Sequence, residues 1–154
     1  LITAHGQAIR FAEGDVRPMG RTASGVRGIK LKGDDHVVGM GIIGPNAAQK
    51  KGQKQLLVVM NNGYGKRTDL VEYKLQRRGG SGIKTANITK KTGPIVSARI
   101  VEAKDERDLF VVTEAGQVLR SKLSSISVLG RATQGVRIMR FKKDGDTVAS
   151  VALI

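Results

Sequence analysis

Three segments of this chain share one pattern. Leu1–Arg10, Leu56–Arg67 and Leu109–Arg120 each run from aliphatic residues through a turn glycine (Gly6, Gly63, Gly116) to an arginine four residues on. Nineteen residues after each turn glycine stands a second glycine, at Gly25, Gly82 and Gly135, followed by an aliphatic residue and a base: Val26-Arg27, Ile83-Lys84 and Val136-Arg137. Spacing kept over three copies means an array of like modules. The repeated positions are turn glycines and bases, so the array carries no repeated catalytic group.

Each module reads as four short strands. The first strands are Leu1–Thr3, Leu56–Met60 and Leu109–Thr113, rich in β-branched and aliphatic residues. The turn glycines supply the positive φ that a hairpin needs, and each second strand ends at the repeated arginine. Third strands are expected at Val26–Leu31, Ile83–Ile88 and Val136–Phe141, and fourth strands at Val37–Ile43, Ile95–Val101 and Thr147–Ile154. No window carries a 3.6-residue period, so the class is all-β. The repeats are 1–43, 56–101 and 109–154, with linkers at 44–55 and 102–108. Four strands per repeat fit a propeller-like blade. Closed propellers need about 4–8 blades. A chain of three that begins inside a strand-like run therefore reads as part of a larger disc.

Lys and Arg total 27 against 13 acids, a net charge of +14. The excess divides as +5, +5 and +4 over residues 1–55, 56–108 and 109–154, so it belongs to the modules rather than to a tail. Such a balance points to a polyanion. The absence of cysteine excludes disulfides and thiolate metal sites, and no apolar run has the length of a membrane span. A cytoplasmic setting and no membrane partner are expected.

Apparent catalytic motifs do not survive their context. Gly39-Met-Gly41-Ile-Ile-Gly44 has dinucleotide-fingerprint spacing but lies in a strand-like segment with no helix to follow. Gly65-Lys66 lacks the upstream glycine of a phosphate loop, since Met60 occupies that position. His5 and His36 have no ligand-like spacing. Catalytic and metal-binding residues are therefore read as none, and no cofactor is expected in this chain.

The bases that hold register are the candidate site: Arg10, Arg67 and Arg120; Arg21, Arg78 and Arg131; Arg27, Lys84 and Arg137. With Lys66 and Arg77 they are expected to share one exposed positive face. Aromatics are few (Phe11, Tyr64, Tyr73, Phe110, Phe141). Stacking on single strands is thus a poor fit, and contact with duplex phosphates the better one.

Tyr73-Lys-Leu-Gln76-Arg77-Arg78-Gly79-Gly80-Ser81-Gly82 resembles the glutamine–arginine–arginine–glycine–glycine box of the DNA gyrase A family. Asn62–Thr68, Thr22–Lys30 and Ser127–Val136 are similar to other segments of that family's C-terminal domain, so the likeness covers essentially the whole chain. The resemblance implies a β-pinwheel, typically of six blades with strands exchanged between neighbours. It also implies a basic perimeter that wraps duplex DNA, supporting ATP-dependent negative supercoiling by a type IIA topoisomerase. ATP and Mg, the remainder of the gyrase A protein and the gyrase B protein in an A2B2 assembly, and a nucleoid-associated location follow by the same resemblance. The family's box normally lies in its first blade, and Ser81 stands where the family often has a base. The corresponding polypeptide of topoisomerase IV shares the pinwheel. A basic propeller-like scaffold for an acidic protein is the alternative from another class.

Overall fold

The computed structural model describes residues 1–46 and 48–154; Ala47, within the expected linker 44–55, lies outside them. Eleven strands are present among the described residues: β1 (Ile2–Thr3), β2 (Gln7–Ala8), β3 (Val37–Gly39), β4 (Lys54–Met60), β5 (Tyr64–Asp69), β6 (Ile83–Lys84), β7 (Ile95–Glu102), β8 (Asp108–Thr113), β9 (Val118–Lys122), β10 (Val136–Arg137) and β11 (Val148–Leu153). Among the described residues, helix is limited to three 3₁₀ turns at equivalent places, Glu13–Asp15, Leu70–Glu72 and Leu123–Ser125. The chain is all-β, as the turn spacing predicts.

The strands form three antiparallel sheets in the orders β3-β1-β2-β6, β7-β4-β5-β10 and β11-β8-β9. The first sheet therefore takes β6 from the second repeat, and the second takes β10 from the third. Each repeat does not build its own four-stranded unit, as the linear reading of strands expects. Each exchanged strand closes the outer edge of the preceding repeat's second strand, β6 beside β2 and β10 beside β5. Both joints use one register: Gln7 opposite Lys84 and Ala8 opposite Ile83, then Tyr64 opposite Arg137 and Gly65 opposite Val136.

The exchanged strands are only two residues long, shorter than expected. The carbonyl of Gly6 accepts from both Thr85 N and Ala86 N, and that of Gly63 from both Ile138 N and Met139 N, so the incoming chain bends around the turn glycine instead of continuing the ladder. Val26–Leu31 forms no strand, because no preceding sheet among these residues offers it an edge. The third sheet likewise has three strands rather than four.

The core follows from strand alternation. Successive side chains of β4 point to opposite faces. Leu56, Val58 and Met60 enter a cluster with Ile2, Ala8, Tyr73 and Ile95, and Leu57 and Val59 enter another with Leu109, Val111, Leu123 and Met139. The central sheet is thus buried on both sides, which accounts for a nearly continuous apolar run in β4. The fourth strands meet along one side. A Cβ at Gly39 would stand 2.8 Å from the Ala98 Cβ, and Arg99 Nη2 donates to Val151 O at 3.4 Å. β3, β7 and β11 therefore line the inner side, and β6 and β10 form the opposite, outer edge.

Candidate nucleic-acid interface

The repeated bases divide into two groups with different jobs. Arg10 Nη1 donates to Tyr73 O at 2.9 Å. Arg67 donates from Nε to Ile126 O (2.9 Å), from Nη2 to Ser124 O (3.1 Å) and from Nη1 to Ala103 O (3.3 Å). Tyr73 and Ile126 are the residues that close the 3₁₀ turns of the following repeats. These arginines therefore fasten each repeat to the next. Arg120 has no following repeat here and instead pairs with Asp108, its Nε lying 2.6 Å from Oδ2. Lys122 and Arg120 together hold the Asp108 carboxyl below the usual carboxylate range.

Arg78 and Arg131 reach the other way. Arg78 donates from Nε to Asp15 O at 3.1 Å and from Nη1 to Arg27 O, and Arg131 Nη1 donates to Lys84 O at 2.8 Å. Arg21, their equivalent in the first repeat, is exposed and holds no such carbonyl among the described residues.

Two expected surface bases are inside the protein. Lys66 is 0% exposed, and its Nζ donates to Gly130 O (2.6 Å), Arg131 O (2.7 Å) and Thr133 Oγ1 (3.0 Å). Burial pushes its ammonium down to about 8. Arg67 is 5% exposed. Lys66 and Arg67 do not belong to an exposed face, and all three Lys66 donors are committed within the protein. The reason is local: every residue of β5 from Tyr64 to Asp69 is buried, because the third repeat covers the strand. Arg10 is half-buried for the same reason.

The box-like segment is a clasp on the first repeat. Gln76 N donates to Arg10 O (2.8 Å), Gly79 N to Gly28 O (2.7 Å), and Gly80 O accepts from Lys30 N (2.8 Å). Gly82, at φ +74°, sits so close to the first sheet that a Cβ would lie 2.6 Å from Ala8 O. Ser81 is exposed. Of the bases in and beside this segment, Arg77 and Lys84 are exposed, and their side chains make no hydrogen bond or ion pair among the described residues.

What remains outward is a line along the outer edge. Lys84 lies on β6 and Arg137 on β10, both exposed, with Arg77 in the loop entering β6 and Arg27 and Arg21 in the corresponding segment of the first repeat. Sequence reasoning missed one member. Tyr64 lies beneath two cations, with the Arg137 guanidinium 5.3 Å and Lys91 Nζ 5.6 Å from its ring centre. Arg137 also donates to Tyr64 Oη (2.8 Å), the main reason that the Tyr64 hydroxyl is held below its usual pKa. The Lys90-Lys91 turn is fixed by Asn62 Nδ2, which reaches both lysine carbonyls at 3.2 Å. The adjacent lysine pair before Thr92-Gly93-Pro94 was the available signal.

A family model described as "DNA gyrase C-terminal domain, beta-propeller" matches residues 1–43, 54–102 and 107–154. The chain is 49% identical over 152 residues to the DNA gyrase A protein of Staphylococcus epidermidis (strain ATCC 12228 / FDA PCI 1200), covering 99% of this chain and 16% of that protein. It is 46% identical over 151 residues to the DNA gyrase A protein of Staphylococcus aureus (strain MRSA252), with 97% and 16% covered. The chain therefore spans only a small part of these curated relatives. Among solved structures it is similar to a DNA gyrase A C-terminal domain, with TM-score 0.80 and 28% identity, covering 99% of this chain and 48% of that one. A topoisomerase IV C-terminal domain shares the fold at TM-score 0.82 and 24% identity, covering 99% and 45%.

Proposed function

Because the chain belongs to the DNA gyrase C-terminal domain family, we propose that it binds duplex DNA along the outer edge formed by β6 and β10 and, as part of a gyrase A protein, wraps a segment of that duplex. The observation that supports this most directly is the set of exposed bases on and beside the exchanged strands, Arg21, Arg27, Arg77, Lys84 and Arg137. Arg78 and Arg131 stand beside them with part of their guanidinium donors committed to carbonyls. Backbone contact fits better than base stacking, since Tyr64 and Tyr73 are buried and offer no free ring face. A curved basic edge favours a bent duplex without reading its sequence.

In the whole enzyme this wrapping would support ATP-dependent negative supercoiling by a type IIA topoisomerase, with the remainder of the gyrase A protein and the gyrase B protein as partners in the bacterial cytoplasm at the nucleoid. ATP and Mg would be held elsewhere in that assembly. Lys66, the lysine of the phosphate-loop-like segment, is committed to carbonyls and a hydroxyl of the third repeat. No helix among those residues is long and apolar enough to cross a membrane.

The test is duplex binding against salt, read by fluorescence anisotropy. Neutralising about six phosphates gives a log–log slope of roughly −5. Replacing Arg77 and Lys84 together with Ala should weaken binding to all sequences alike and flatten the slope by about two units. Salt-independent binding, or a preference for single strands, would count against contact with the duplex backbone.

A further inference from the structure

At the joint between the second and third repeats, two cations stand against one ring with no acid between them. Tyr64 of β5 and Arg137 of β10 lie opposite one another there. Arg137 donates to Tyr64 Oη from Nη2 at 2.8 Å and from Nε at 3.2 Å, and its guanidinium is 5.3 Å from the ring centre. Lys91 Nζ, from the turn that enters β7, is 5.6 Å from the same centre. Both bases are exposed, and neither is paired with a carboxylate among the described residues. The third repeat shows the other arrangement. Arg120 and Lys122 also converge, but on the carboxylate of Asp108, at 2.5 and 2.8 Å. There the protein supplies the anion itself. At Tyr64 it supplies only a phenol, so the combined field of the two cations is open to an anion from outside.

The seat is set before any ligand arrives. Asn62 Nδ2 holds the carbonyls of Lys90 and Lys91. Buried Thr92 accepts from Thr89 N at 3.0 Å through Oγ1. A Cβ on Gly93 would stand 2.9 Å from the Asn61 Cβ, so the turn is packed against the β4–β5 hairpin. Arg137 is fixed by the Tyr64 hydroxyl, and the cost of ordering both cations is met on folding. The first joint has the base without the rest: Lys84 stands opposite Gln7, not a tyrosine. The feature therefore breaks the three-fold repetition of the chain.

We propose that Lys91 and Arg137 share one phosphate of the duplex backbone, with Tyr64 as the residue that positions Arg137, so that this joint is a discrete phosphate seat on an otherwise diffuse basic edge. The inference rests on the duplex-binding reading above and adds a fixed point to it. A phosphodiester has two unesterified oxygens, one for the guanidinium and one for the ammonium. Lys91 comes from the second repeat and Arg137 from the third, so the seat exists only where the two repeats are joined. Tyr64 takes no base on its ring, which is buried, and acts through its hydroxyl alone.

The test is made in the whole gyrase A protein carrying this chain, by fluorescence anisotropy of a labelled duplex over a range of salt. Lys91→Gln or Arg137→Gln alone should weaken binding by about two- to fivefold. Each should leave the log–log salt slope nearly unchanged, because the remaining cation still neutralises the shared phosphate. The two together should lower the slope by about one unit, where Arg77→Ala with Lys84→Ala lowers it by about two. Tyr64→Phe keeps the ring and loses the hydroxyl. It should weaken binding in the parent and have no effect in the Arg137→Gln background, whereas a loss through misfolding would appear in both. A drop of two units in the Lys91→Gln, Arg137→Gln protein would mean two separate phosphates and overturn the seat. Parent-like affinity and slope in that protein would also overturn it, while the loss in the Arg77→Ala, Lys84→Ala protein would leave the duplex-binding reading standing. If neither pair of substitutions changed binding, that reading would fall and the seat with it.

Discussion

Lys66 and Arg77 carry the same charge and answer to opposite constraints. Lys66 is enclosed and serves three oxygens of the third repeat, while Arg77 faces solvent. Replacing Lys66 with Met leaves Arg131 O without its donor and removes one of the donors to Gly130 O, and should lower stability by about 1–3 kcal/mol. Its pH dependence has a definite sign. Burial lowers the folded value to about 8, below the roughly 10.4 of an unfolded lysine. Between these two values the unfolded chain holds more protons, so the contribution of this group to stability rises with pH across that window. Urea unfolding of the parent and of Lys66→Met on either side of the window should show the parent gaining relative to the variant; a constant difference would mean that Lys66 titrates at its ordinary value. The sequence could not separate Lys66 from Arg77. Register repetition marks a base that fastens repeats as clearly as one that meets a ligand, and only the neighbouring repeat's carbonyls distinguish them.

At the scale of strands, the exchange between repeats rests on glycines that cannot take a side chain. Gly135 and Gly145 have nearly the same φ, +80° and +77°, but only Gly135 has a carbonyl 2.7 Å from where a Cβ would go. Gly145→Ala should cost about 1–2 kcal/mol for the left-handed backbone alone. Gly135→Ala should cost at least about 1 kcal/mol more, because the joint must open to admit the methyl group. Thermal unfolding of the two variants gives the comparison, and equal losses would place no steric weight on the joint. First and fourth strands of the second and third repeats were legible because long runs of aliphatic and β-branched residues such as Leu56–Met60 and Ile95–Val101 favour strands. Two of the three third strands were legible as segments but not as partners, and Val26–Leu31 forms no strand. A two-residue strand such as Ile83–Lys84 carries no signal of which sheet it joins, and its length is fixed by the Gly6 carbonyl, a contact across the repeat boundary. Val37–Ile43 shortened to Val37–Gly39, with Gly39 and Gly41 packed flat against Ala98 and Ile100 of the next repeat.

For the molecule as a whole, fastening lies within and charge lies outward. On the proposed wrapping role, an assembled gyrase carrying Arg77→Ala and Lys84→Ala in its A protein should lose more negative supercoiling than relaxation, since only the former would use the wrapped segment; agarose-gel assays of both activities on one plasmid measure it. Equal losses would argue that these bases serve something other than wrapping. The route of the chain has a further mechanical consequence. Lys104, Glu106 and Arg107 form an exposed connection between the second and third repeats, yet the third repeat lends β10 to the second sheet and receives Arg67 in return. A protease that severs this connection cuts a covalent thread but not the object. Like a chain link whose neighbours pass through it, each severed half would remain hooked in the other, and the nick would come to light only once the protein was unfolded.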